Sequence, residues 1–208
     1  LYTPKFFIEK DQDKLLAFMR EYNFAVLVTA GSERPEATHL PFIIETRGDK
    51  LILLAHMARA NQQWKQFTER DVLVIFSEPH AYVSPLLYKD KINVPTWNYV
   101  AVHAYGQVVT FESVEENLVL LEKMIGAFDP EYLETNWREI PDDYKTNMAK
   151  GIVALEIEVT DLQGKKKLNQ NKPGEDSRRV IEAFEKGTAG EQEIAAYMKD
   201  VHGSGEEN

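Results

Sequence analysis

The chain has 208 residues, 43% of them apolar and 11% aromatic, with no cysteine and a formal net charge of −10. That size suits one large domain, or one domain with an appendage, around a substantial core, while the missing cysteines exclude disulfides, thiolate metal sites and cysteine nucleophiles and suit a reducing compartment. Apolar runs such as VLVIF fall far short of the ~20 residues of a spanning helix, and LYTPKFFIEK has no signal-peptide pattern, so a soluble, cytoplasmic protein that does not enter membranes is expected.

In chain order, DQDKLLAFMREY places Leu15, Leu16, Phe18 and Met19 at helical spacing behind a cap at Asp11 or Asp13. FAVLVTA is a continuous apolar run of strand length. GSERPE has turn chemistry and ATHLPFIIE predicts a second strand, so 24–45 reads as a hairpin. DKLILLAH and DVLVIFSE predict two more strands, flanking a short helix in HMARANQQWKQF. YVAVHAYGQVVTFE alternates: Val100, Val102, Ala104, Gly106 and Val108 share one side, and Tyr99, Ala101, His103, Tyr105 and Val109 the other. SVEENLVLLEKMIGAF opens on a Ser113–Glu116 capping box, and PDDYKTNMAK is a second helix. Residues 112–143 carry ten acids against Lys123 and Arg138, a net of −8. GIVALEIEVTDL is the last strand, and a terminal helical pair follows, SRRVIEAFEKG and EQEIAAYMKD, joined by GTAG. Strands outnumber helices and are linked by short turns. The expected fold is mainly β with peripheral helices, α+β overall, its strands meandering antiparallel into a barrel.

Four stretches carry candidate chemistry. In HMARANQQW, Asn61 is a good N-cap, and Arg59 and His56 stand beside it as donors. A phosphate would suit them, because guanidinium and free helix N–H groups both favour anions; an ordinary capped helix with a solvated arginine explains the same residues. In ATHLPFI, Pro41 cannot donate to a ladder and belongs at an edge or bulge. Backbone groups left free there suit the polar edge of a flat heteroaromatic ring, or simply mark a protected edge strand. VPTWNYVAVHAYG puts Trp97, Asn98 and Tyr99 at a strand entrance, as a ligand-facing wall, a subunit interface or plain core. GKKKLNQNKPGEDSRR, with six bases against two acids over 164–179 for a net of +4, is either an anion grip or a solvated loop. His80, Tyr82 and Ser84 in PHAYVSP alternate onto one face, but no nucleophile elbow accompanies them. The five histidines show neither HxxxH nor HExxH spacing, so no metal site and no catalytic residue is assigned.

Taken in order, YTPKFF, ATHLPF, HMARANQQW, PHAYVSP, VPTWNYVAVHAYG and GKKKLNQNK resemble the signature of the PaiB-type family of FMN-binding negative transcriptional regulators, over roughly residues 2 to 175. The resemblance implies an antiparallel split β-barrel of the wider flavin-binding class, with FMN at the interface of a homodimer. It implies His56, Arg59 and Asn61 at the phosphate end and the backbone of Thr38, His39 and Leu40 along the isoalloxazine ring. Trp97, Asn98 and Tyr99, in the stretch from Thr96, are expected to come from the second subunit, with Lys167 and Gln170 closing the site. The last motif departs from the family pattern: Lys166 stands where an aromatic is usual, and LNQNK replaces LSQNR. The expected organisation is a flavin domain over 1–175 with an acidic helical insertion near 113–150, a helical extension over 176–200, and a flexible tail over 201–208.

The implied function is negative regulation of transcription, touching sporulation and the production of degradative enzymes such as proteases. No helix-turn-helix or basic recognition helix is visible and the net charge is −10, so indirect action is favoured over direct DNA contact. An FMN-dependent oxidoreductase or flavin reductase with a secondary regulatory effect is the alternative.

Overall fold

A computed structural model describes residues 1–31, 34–67 and 71–203. Residues 32–33 of the GSERPE turn and 204–208 of the expected tail lie outside the described residues. In chain order the elements are β1 (Ile8–Glu9), α1 (Gln12–Glu21), β2 (Phe24–Ala30), β3 (Pro35–Pro41), β4 (Ile43–Arg47), β5 (Lys50–Ala58), a 3-10 turn (Gln62–Gln66), β6 (Val72–Val83) and β7 (Thr96–Phe111). There follow α2 (Val114–Phe128), α3 (Pro130–Thr135), α4 (Asp142–Lys150), β8 (Ile152–Lys167), α5 (Gly174–Phe184) and α6 (Ala189–Gly203).

The strands form one antiparallel sheet in the order β3-β2-β6-β7-β8-β5-β4, with β1 added to β8. β3 and β4 end that order on opposite sides, yet only Phe42 separates them in sequence. The sheet must therefore curl until its ends meet, and the expected barrel follows. Phe42 is 1% exposed and packs its ring 6.0 Å from Phe76, so the hinge of the curl is itself anchored in the core. The predicted hairpin over 24–45 needs correction here. β2 and β3 pair from Phe24–Pro41 to Ala30–Pro35, but β4 leaves the hairpin and pairs with β5. An apolar run does not reveal where a strand changes partner.

The described chain divides into two compact units, each built on part of β6, β7 and β8. One comprises Leu16–Phe76 and His103–Leu162 and holds the barrel and the acidic helices. Its fully buried Leu27, Leu53, Phe76, Leu155 and Ile157 come from β2, β5, β6 and β8, and each such side chain contributes about 1.5–3 kcal/mol. On α2 the Ser113–Glu116 capping box forms as expected, Ser113 Oγ accepting the Glu116 N–H at 3.2 Å. Leu120 and Met124 bury that helix against Ile52, Leu54 and Ala154. β7 alternates as predicted, and Gly106 is where a Cβ would stand 2.3 Å from the Glu158 carbonyl. Only glycine lets the β7 and β8 backbones approach so closely.

The other unit comprises Leu1–Leu15, Ser77–Val102 and Gln163–Asn208. The terminal helices α5 and α6 bury Val180, Phe184, Ile194 and Met198. Asp11 caps α1, accepting the Asp13 N–H at 3.0 Å. β8 runs on through Lys167, so the solvated-loop alternative for GKKKL is overturned: the three lysines lie on strand, and Lys165 and Lys166 are buried. Pairing of Ile8 with Lys165 and Glu9 with Gly164 extends the ladder there, a two-residue contact too short to leave a periodic trace in sequence.

Candidate functional site

Within the barrel unit, β3 is an edge strand, as Pro41 suggested, and the turn after β5 is seated against it. Asn61 caps that turn by accepting the Gln63 N–H on Oδ1 at 3.0 Å, and its Nδ2 donates to Thr38 Oγ1 at 2.9 Å. The helix expected after Asn61 is one 3-10 turn of five residues. Gln63, 1% exposed, is the hub of this corner. Its Nε2 donates to the Leu27 carbonyl at 3.2 Å, the Glu36 carbonyl at 3.2 Å and Thr29 Oγ1 at 3.3 Å, while its Oε1 accepts from the Thr38 hydroxyl. Sequence reasoning missed Gln63, because nothing in QQWKQ distinguishes it from Gln62 and Gln66. A cleft of ≈ 440 Å³ opens here, lined by Arg34, Pro35, Glu36, Ala37, Thr38, Asn61 and Gln63. That lies within the roughly 300–1,000 Å³ range of small-molecule sites.

Thr38 and Asn61 therefore meet, and His56 and Arg59 turn elsewhere. The Arg59 guanidinium is held by Glu112: Nη1 reaches its carboxylate at 3.1 Å and Nη2 its carbonyl at 3.1 Å, with Nε on the Lys150 carbonyl at 3.1 Å. A carboxylate thus occupies the anion-gripping fork. His56, half-buried on β5, has Nδ1 3.1 Å from Met124 Sδ, and burial lowers its pKa from the ordinary imidazole value. Its proton is disfavoured because the charged ring would lose hydration. His39 is exposed, its ring stacked on Phe24 at 6.1 Å, and Leu40 is buried. Gln63 Nε2, which donates to the Glu36 carbonyl of β3, also reaches Leu27 and Thr29 of β2, so its amide spans the two strands.

The remaining candidates lie in the second unit. Trp97 is 51% exposed, in contact with the rings of His80 at 5.9 Å and Tyr82 at 5.7 Å. Lys167 Nζ donates to Thr96 Oγ1 and, at 2.7 Å, to the Trp97 carbonyl. Burial first, and the neighbouring Lys165 charge second, hold its pKa below the usual lysine value. Asn98 points the other way, fully buried, with Nδ2 3.4 Å from Met198 Sδ and Oδ1 without a hydrogen-bond partner. Gln170 is spent on its own turn, accepting from the Leu168 N–H at 2.7 Å and donating to the Lys166 carbonyl at 2.6 Å, next to Asn169 at φ 67. Ser84 caps a 3-10 turn by accepting the Leu86 N–H at 3.3 Å. That structural use leaves the Ser/His pairing of PHAYVSP unsupported. Among the described residues no group of three or more acids and histidines could hold a metal ion, and no helix is long and apolar enough to cross a membrane.

The curled antiparallel sheet with a cleft at its edge strand defines a class of fold, the split barrel. The chain belongs to the family described as "Putative FMN-binding domain", matched over residues 1–161. It is 37% identical over 189 residues to the "Protease synthase and sporulation protein PAI 2" of Bacillus subtilis, covering 89% of each chain. An uncharacterized protein of Aspergillus fumigatus is 30% identical over 241 residues, covering 89% of this chain and 92% of that protein. The fold is shared with the flavocytochrome Anf3 of Azotobacter vinelandii at a TM-score of 0.63 and 15% identity, over 85% of this chain and 78% of that one. It is shared also with an FAD- and heme-binding protein of Mycobacterium smegmatis at 0.59 and 12% identity, over 82% and 78%.

Proposed function

We propose that this protein binds FMN and acts, through the bound flavin or a protein partner, as a negative regulator of transcription touching sporulation and protease production. The observation that carries the flavin assignment is the cleft beside β3, where Asn61, Thr38 and a free strand edge converge in a chain of this family. The donor set fits the group. The edge strand β3 offers backbone groups to the polar edge of a flat ring, Arg34 on the cleft wall is a cation for its phosphate, and Arg59, two residues before Asn61 and paired with Glu112, would be a second on turning toward the cleft. When bound, the flavin supplies one- or two-electron redox chemistry. The residues of this chain hold and orient it: Thr38 and Asn61 at the cleft, Gln63 behind them fixing their positions. The regulatory part rests on the relation to the sporulation protein PAI 2.

A homodimer is part of the same proposal. Leu86, Ile92, Val94 and Trp97 are 87%, 91%, 74% and 51% exposed within twelve residues. A monomer seldom leaves such a concentration of apolar side chains in water. Trp97 and Tyr99 would then face the flavin of the second subunit, with Lys167.

The test is reconstitution. Purified protein titrated with FMN is expected to quench flavin fluorescence saturably and to retain a yellow cofactor through gel filtration; colourless protein with unquenched flavin would refute the assignment. The oxidoreductase alternative separates at the next step, since bleaching of bound flavin by NAD(P)H supports it. Direct repression separates too: retardation of promoter DNA at physiological salt would replace the indirect mechanism.

A further inference from the structure

A second cavity lies in the barrel unit, lined by α2 and by β4, β5, β7 and β8, and it shares no residue with the cleft beside β3. Its volume is ≈ 330 Å³, within the roughly 300–1,000 Å³ range of small-molecule sites. Its inner lining is hydrocarbon: Leu54, Leu120 and Leu155 are 4%, 8% and 0% exposed, and Phe111 packs beside them, partly buried. Water gains little in such a place, because an ordered water needs two to four polar partners and these side chains offer none. Val119, also on the cavity wall, is 68% exposed, one residue before the Leu120 that seats the helix. An apolar hollow and an apolar side chain thus stand open together, and an apolar body lying there would withdraw both from water.

The rim selects the charge of that body. The two cations among the lining residues are already matched: Arg47 reaches Glu45 at 3.0 Å and Glu156 at 2.7 Å, and Lys123 pairs with Glu45. Two of the lining acids are not. Glu116 accepts the Ser113 hydroxyl at 2.7 Å, and among the described residues neither Glu115 nor Glu116 has a lysine or arginine within 4.0 Å. The first turn of α2 favours carboxylates there through its partial positive charge. Residues 112–143 around them carry a net of −8. We propose that this cavity binds a small amphipathic amine, its apolar body against Leu54, Phe111 and Leu120 and its ammonium on Glu115 and Glu116. The carboxylates supply charge-assisted acceptors and the hydrocarbon lining supplies the buried area, so both halves of the ligand are recognised. An anion of the same shape would meet the two unmatched acids. The site does not require flavin; it goes beyond the flavin assignment, and either can fail alone.

Phenethylamine, a cation at neutral pH, is the probe, titrated calorimetrically into the full chain with and without FMN. Saturable binding of equal affinity is expected in both preparations, with phenethyl alcohol at least about tenfold weaker and hydrocinnamate not bound. Glu115→Gln with Glu116→Gln is expected to weaken the amine at least about tenfold, and glutamine still closes the capping box, so the helix start is kept. Glu131→Gln with Asp143→Asn removes the same charge from the acidic helices outside the cavity and is expected to leave the affinity within about twofold, because exposed distant charges are screened. Val119→Trp, which fills the mouth, is expected to abolish binding and to leave the oligomeric state unchanged. Equal affinity for hydrocinnamate, undiminished affinity in the Glu115 and Glu116 variant, an equal loss in the Glu131 and Asp143 variant, or displacement of the amine by FMN would each overturn the proposal. A change of oligomeric state in Val119→Trp would overturn it too, since a second copy of the chain would then be the occupant. Failure of FMN to bind would sink the flavin assignment while leaving the amine titration decisive.

Discussion

Single side chains decide how the cleft corner is built. Gln63 joins the Leu27 and Glu36 carbonyls, Thr29 and Thr38 through one buried amide. Gln63→Leu keeps the volume and leaves those groups unsatisfied, so urea unfolding should show a loss of about 2–3 kcal/mol, with flavin binding lost as Thr38 drifts. Arg59 offers a sharper test because Glu112 already occupies its fork. Arg59→Ala should weaken FMN at least about tenfold if its guanidinium turns to the phosphate, and Glu112→Gln should tighten FMN by releasing it; fluorescence titration of both variants decides, and no change in either would place the phosphate on Arg34. His56 gives a pH dependence. Burial depresses its folded pKa, so the unfolded chain binds the proton more readily. Its stabilising contribution is complete above the ordinary imidazole value of about 6.5 and is lost as pH falls through the folded value. Melting temperature should fall on acidification through that window, more steeply in the natural chain than in His56→Leu.

Among the elements, β7 and β8 set the tightest requirement. A Cβ at Gly106 would meet the Glu158 carbonyl at 2.3 Å and Ile157 Cγ2 at 2.9 Å. The backbone of a neighbouring strand cannot yield as a side chain can, so Gly106→Ala should cost about 1–3 kcal/mol in denaturant unfolding. The elements also show why pattern reading succeeded where it did. α2, with its Ser113 cap and its buried Leu120 and Met124, is written locally, within one helix's own period. β3 and β4 are not. ATHLPFIIE is one apolar run, and its division at Phe42 is set by which strands compete to pair with each half. The short α3 was missed because six residues hold too little periodicity to register.

For the whole molecule the open question is assembly. If the apolar stretch 86–97 is covered by a second copy, sedimentation should report a dimer, and Ile92→Glu with Val94→Glu should shift it to monomer and release the flavin together. A monomeric natural chain would remove Trp97 and Tyr99 from the flavin site. The same scale bears on DNA: a net charge of −10 opposes the phosphate backbone, whatever the local +4 of residues 164–179.

The amino-acid sequence by itself determined the strand-rich class, the helix caps at Asp11 and Ser113, the edge position of Pro41 and the capping role of Asn61, because each depends on residues near one another in the chain. It also carried the ordered motifs that mark the family. Only the tertiary structure decided that Gln63 is the buried hub, that Glu112 holds Arg59, that Asn98 faces Met198 rather than the face of Trp97, and that Lys166, the middle of three lysines, meets Glu9. Those outcomes hang on partners 25 to 157 positions away. A side chain's role there is set by what the closed sheet brings against it, and no local pattern encodes that.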